Sequence, residues 1–151
     1  MSDLQKNKDL VRAILKHIGD FNIQEIGKLV TDDVIWWVNG GGQDGQYFYG
    51  KETSLKLIGV VGDNLVDSKI RLEILGMIAE GDRVAVEVRS YGTMKNGNEY
   101  RNSYHEIYEI RDGLVALCKE YADTKYSADV GIRPRGPQND ISASIHRPGL
   151  G

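Results

Sequence analysis

The chain has 151 residues, of which 40% are hydrophobic and 27% charged, the mixture of one soluble globular domain rather than of a disordered segment. A formal net charge of −3 gives no electrostatic reason to expect a nucleic-acid or anionic-membrane partner. The single cysteine, Cys118, excludes an internal disulfide, and no apolar run approaches the roughly 20 residues of a membrane span. The opening Met1-Ser2-Asp3-Leu4-Gln5 carries no signal-peptide core, so the expected compartment is the cytoplasm.

Eighteen glycines against three prolines punctuate the chain. Leu10, Val11, Ile14, Leu15 and Ile18 recur at helical spacing, which predicts a first helix beginning near Asp3 and ending at Gly19-Asp20. Asn22 followed by Glu25 caps a second helix with Ile23, Ile26, Leu29 and Val30 as its apolar residues, closed by Thr31-Asp32-Asp33. Val34 to Asn39 is β-branched and aromatic and reads as a strand. The glycine-rich stretch Gly40 to Gln46 lacks phosphate-loop spacing and reads as a mobile loop or a lid over a ligand site. A third helix is expected over roughly Lys51 to Val61.

From Ser68 to Tyr121 alternating strands are joined by Glu80-Gly81-Asp82, by Asn96-Gly97 and by Arg111-Asp112-Gly113, with Tyr100 to Ile110 as one long strand. Helices followed by an antiparallel meander make an α+β domain. The pattern dissolves after Asp123, and the residues from 131 to 151 hold all three prolines, which predicts a domain over 1–130 and a disordered or partner-draped tail over 131–151.

The last hairpin carries the chemistry. A type I turn with Gly113 in a bulge sets Ile110 against Leu114. One face then holds Tyr104, Glu106, Tyr108, Ile110, Leu114, Ala116, Cys118 and Glu120, and the other holds His105, Ile107, Glu109, Val115, Leu117, Lys119 and Tyr121. Glu106 and Glu120 are the two carboxyls of an otherwise apolar face, and a carboxyl so placed either pairs with a cation or keeps its proton at neutral pH. A one-residue register slip would send both to the other face. Arg89, on the same side of its strand as Glu87 and Tyr91, either holds a carboxylate such as Glu120 ionised or is a solvated strand residue. Trp37 and Asn39 share a face of the first strand, as core and turn residues or as ligand contacts. The three histidines are scattered, no spacing resembles a metal site, and Cys118 has no evident basic partner.

The order of elements and several strings resemble the nuclear transport factor 2-like superfamily, and within it the SnoaL-like, ketosteroid isomerase-related branch. The strings are Glu80 to Glu87 (EGDRVAVE), Asn102 to Gly113 (NSYHEIYEIRDG) and Lys119 to Thr124 (KEYADT), and the resemblance covers about residues 5 to 130. It implies a cone-shaped barrel: a strongly curved, mixed, mostly antiparallel sheet wrapped by about three N-terminal helices around an apolar pocket. It also implies a homodimer through the outer sheet face. Ketosteroid isomerases use an Asp base and a hydrogen-bonding Tyr and protonated Asp, and Glu106 falls near that protonated Asp. In the similar limonene epoxide hydrolases Arg89 and Asn39 match an Arg and an Asn, Glu120 stands where one Asp would be, and Trp37 and Tyr91 replace a Tyr and another Asp. The functional expectation is a cofactor-independent and metal-independent isomerase, cyclase or hydrolase acting on a small apolar molecule. Glu120, Glu106 and Arg89 are its catalytic candidates, and Trp37, Asn39, Tyr91, Tyr104 and Tyr108 its substrate contacts. The alternative is a non-catalytic ligand-binding or dimeric interaction domain on the same fold.

Overall fold

A computed structural model describes residues 3–40 and 43–132. Helix α1 (Asp3–Gly19) buries Val11, Ile14 and Leu15, the apolar stripe that its spacing requires. The second helix, α2 (Ile23–Gly27), is capped by the Asn22 side chain, which accepts the Glu25 N–H at 3.3 Å. Strand β1 (Val30–Val38) takes up Thr31, Asp32 and Asp33, so the expected close of α2 is instead the start of a strand. β2 (Gln46–Tyr49) pairs back on β1. Helix α3 (Lys51–Asp63) follows, with Gly62 pressed so closely on Phe21 that an added Cβ would sit 2.7 Å from the ring.

The meander comprises β3 (Arg71–Glu80), β4 (Arg83–Thr93), β5 (Glu99–Tyr100), β6 (Ser103–Arg111) and β7 (Leu114–Ala122). The sheet order is β2-β1-β7-β6-β4-β3, with β5 on β4. Only β1 and β7 among these pairs run parallel. Register breaks at Ile74/Gly76, in β7 opposite Glu109/Ile110 and along β1 between Val30 and Ile35 are the places where a sheet bends, and the result is an α+β cone. Its concave face carries Val34, Trp36, Val84, Val86, Val88, Tyr108, Val115 and Cys118 against α1, α2 and α3. A second apolar cluster of Leu65, Ile70, Met94, Tyr100 and Ile132 closes one end.

Three local results differ from the sequence reading. Asp112 (φ 53°) and Gly113 (φ 76°) are both left-handed, which is a two-residue type I′ turn pairing Arg111 with Leu114 rather than a type I turn with a glycine bulge. The single long strand expected over Tyr100 to Ile110 is broken at Arg101-Asn102, because the Asn102 carbonyl accepts the Ser90 N–H (2.9 Å) and its own N–H bonds the Ser90 hydroxyl (3.1 Å). Beyond Asp123, where the sequence pattern dissolves, lies helix α4 (Thr124–Val130), capped by Asp123 and ended by left-handed Gly131. Ile132 is buried behind it, and the remainder of the expected tail, 133–151, lies outside the described residues.

Candidate functional site

The hairpin decides the site. The type I′ turn moves the pairing by one residue from the expected register, and a bulge at Ala116 moves it by one more. Glu109 pairs with Leu117 while Ile110 pairs with Val115. Two single-residue steps restore the parity of the side chains, so Glu106 and Glu120 share the concave face and stand directly opposite each other. Val115, expected on the outer face, points into the core and is fully buried, because it precedes the bulge.

Between the concave face and the helices lies a cavity of about 470 Å³. Its wall is mostly apolar, with Trp36, Phe21 and Leu57 among its residues, and its polar groups include Glu106, Glu120, Tyr100, Tyr104 and Ser127. No lysine, arginine or histidine is among the described residues that line it. Among the described residues no group of three or more His, Cys, Asp or Glu is arranged to hold a metal ion, and no helix is long and apolar enough to cross a membrane.

Two carboxyls facing each other in such a place cannot both ionise easily. Loss of water raises Glu106 from the ordinary carboxylate range to about 7, against the opposing pull of the Tyr108 hydroxyl, which donates to its Oε2 at 2.5 Å. Glu120 is raised to about 8, first by desolvation and then by the charge of Glu106, with a hydrogen bond from Trp36 acting in the other direction. The protons therefore leave the pair in two steps, and near neutral pH the pair holds at least one. An acid that is half protonated at working pH can both give and take a proton.

The remaining candidates separate by strand parity. Tyr104 lines the cavity beside Ala122, which it opposes across the ladder. Tyr108 is fully buried behind Glu106 and supports it rather than facing the cavity. Asn39 reaches the cavity rim, but its amide clamps the Ala122 backbone, donating to the carbonyl at 3.1 Å and accepting the N–H at 3.0 Å.

Arg89 does not stand beside Glu120: it is exposed on β4, opposite Ser103 and Glu73 on the convex face, one residue out of phase with the inward Val88. Tyr91 lies on the same convex side, where its hydroxyl donates to Glu73 at 3.0 Å and its ring sits 4.0 Å from the Arg71 guanidinium. Trp37 also points outward, against Tyr47, Tyr121 and Lys119. Its neighbour Trp36 forms the cavity wall in its place, and continued alternation from the core residue Val34 was the available signal. Sequence reasoning missed Tyr100, Asn102 and Ser127, whose placement depends on α4 and on the strand break.

The model of the SnoaL-like domain matches residues 11–118. No curated protein matches the chain. Among solved structures, one described as a SnoaL-like polyketide cyclase from Jannaschia sp. CCS1 superposes with a TM-score of 0.76 at 14% identity, covering 89% of this chain and 98% of that one. Bal32a, from a soil-derived mobile gene cassette, gives 0.75 at 17% identity, with 87% and 100% covered. An LEH-like epoxide hydrolase of M. tuberculosis gives 0.68 at 14%, with 85% and 90% covered. At such identities the likeness is one of fold. The domain match spans more than half of the chain and takes in the cone from α1 to the middle of β7, so this chain belongs to the SnoaL-like domain family.

Proposed function

We propose that the protein is a cofactor-independent enzyme that moves a proton on a small, largely apolar molecule held in the cone, with Glu120 as general acid/base and Glu106 as the partner that tunes it. The observation that carries the reading is the Glu106–Glu120 pair facing itself across β6 and β7 in an apolar cavity whose described lining has no cation. Desolvation keeps a proton available there near neutral pH, which suits isomerisation, cyclisation or hydrolysis by general acid/base catalysis. Trp36 and Tyr104 are the substrate contacts in this reading. Arg89, Tyr91 and Trp37, being on the convex side, have no part in the chemistry. The convex face, with Ile107, Lys119, Tyr121 and the exposed Ile78, is the surface through which the chain forms a homodimer.

The test is proton exchange in D2O with a panel of cyclic ketones and epoxides, read by mass spectrometry for deuterium incorporation or conversion. The wild type is expected to turn over at least one panel member, and Glu120→Gln to lose about 100-fold or more of that rate while keeping affinity. Binding of panel members without exchange or conversion by the wild type, or full activity in Glu120→Gln, would refute the catalytic reading and leave a ligand-binding domain.

A further inference from the structure

Behind the two glutamates the hairpin buries a second cross-strand pair. Tyr108 and Cys118 stand opposite each other, two residues along β6 and β7 from Glu106 and Glu120. Both are fully buried, and neither reaches the cavity wall. The two glutamates do line the cavity, but unequally, with Glu106 4% exposed and Glu120 half-buried. By burial alone Glu106 would be the harder of the two to ionise.

The Tyr108 hydroxyl opposes that order. A buried phenol has one hydrogen to give, and leaving it without an acceptor is costly. Two acceptors lie in reach, Glu106 Oε2 at 2.5 Å and the Cys118 sulfur. Burial pushes the Cys118 thiol up and keeps it neutral, and a thiol accepts only weakly. The hydrogen goes to Glu106. With one proton in the pair, two arrangements then compete. If Glu120 holds it, Tyr108 donates to an anion. If Glu106 holds it, the same hydroxyl faces a neutral carboxyl, and the charge lies on Glu120 beside the Trp36 indole, which donates to it. A hydrogen bond to an anion is roughly twice as strong as one between neutral groups, and the short Tyr108 bond adds that difference to the first arrangement. Glu106 at about 7 and Glu120 at about 8 follow the same order.

We propose that Tyr108 is a positioning residue that assigns the single proton of the pair to Glu120 and the charge to Glu106, so that a ligand entering the cone meets an acid at Glu120 with an anion beside it. Nothing else facing Glu106 competes for the charge. Val86 opposes it from β4, and α1 and α3 bring only apolar residues to the cavity wall, Leu15 and Leu57 among them. Tyr104, the next inward residue of β6, keeps its hydrogen because burial raises it well above its usual range. No lysine, arginine or histidine is among the described residues of the wall. The catalytic meaning of this assignment rests on the function proposed above, whereas the place of the proton is measured without a substrate.

The experiment is a carbon-13 NMR titration of the ligand-free protein from pH 4 to pH 10 with glutamate labelled at its carboxyl carbon. Glu106→Gln and Glu120→Gln assign the two resonances, and site-resolved shifts are required because the two midpoints belong to the pair. In the wild type Glu106 is expected to ionise first, with Glu120 still mostly protonated when Glu106 is half ionised. Tyr108→Phe removes a hydrogen bond to a charged group and should raise the Glu106 midpoint by about one to two pH units, so that Glu120 ionises first. A merely structural role would move both midpoints together or neither. If Tyr108→Phe fails to fold, a tyrosine label at the hydroxyl-bearing carbon reads the wild type instead, and the Tyr108 signal should move with the first proton lost. Glu120 ionising first in the wild type, an order unchanged in Tyr108→Phe, or a Tyr108 signal that moves only with the second proton overturns this inference alone. Full activity in Glu120→Gln overturns the proposed function instead, whichever carboxyl holds the proton.

Discussion

Replacing Glu106 with Gln tests the electrostatics of the pair through stability, without any substrate. Gln keeps the shape and still offers an oxygen to the Tyr108 hydroxyl. In the wild type the folded state holds the Glu106 proton up to about 7, whereas the unfolded chain releases it near 4.5. Between those values the folded state binds more protons than the unfolded one, so stability falls as pH rises, and it levels off above the folded value. A difference of about 2.5 pH units at roughly 1.4 kcal/mol each makes the loss on the order of 3 kcal/mol between pH 4 and pH 9. The Gln variant lacks this loss, and it also relieves Glu120 of the neighbouring charge that helps to raise it. Urea denaturation at pH 4, 6, 8 and 9 measures both curves, and a difference of this size moves the midpoint by about 1.5 M at pH 9. Parallel curves for wild type and variant from pH 4 to pH 9 would refute the desolvated-pair argument, because no differential proton binding would then exist at residue 106.

Two further outcomes check the outer surface. Gly45 has φ 63° and its missing Cβ would sit 2.2 Å from the Trp37 ring, so Gly45→Ala should cost about 1–3 kcal/mol. Thermal unfolding reads this as a lower Tm, and an unchanged Tm would mean that the β1–β2 connection yields freely. The proposed dimer should sediment at twice the 16.8 kDa of one chain. Ile107→Asp on the convex face should shift it toward monomer with the cone intact, and a monomeric wild type at 50 μM, a concentration at which a standard-size interface of roughly 1,600 Å² holds together, would dismiss the dimer.

Much of the fold was legible because local rules agree with it. The α1 stripe, the Asn22 cap and the turns at Gly81, Gly97 and Gly113 are each dictated by neighbours in sequence, and each stands where spacing put it. Val30 and Thr31-Asp32-Asp33 were misread because a short helix and a strand start are both compatible with four apolar or polar residues. What selects the strand is pairing with β7, a partner some 85 residues away. Helix α4 was missed because its seven residues hold no apolar stripe. It exists because Asp123 caps it and because Asn96, Asn98 and Ser127 tie it to the meander.

The candidate site shows the same division. Sequence alone determined that Glu106 shares a strand face with Tyr104 and Tyr108, since side chains alternate with a period of two, whereas whether Glu120 joins that face depends on the register of the hairpin. The turn type and the bulge were both read differently from what the chain adopts, and their effects on parity cancel. Tertiary structure alone decided that this face is the concave one, that Glu106 and Glu120 are exact cross-strand partners and that Trp36 rather than Trp37 looks inward. It also decided that Arg89 is turned to the convex side. Which face of a strand meets the core depends on the curvature of the whole sheet and on the helices that cover it, and no window of neighbouring residues contains that information. The single hairpin therefore carries its chemistry in its alternation, while the cone supplies the burial that makes those carboxyls acids near neutral pH.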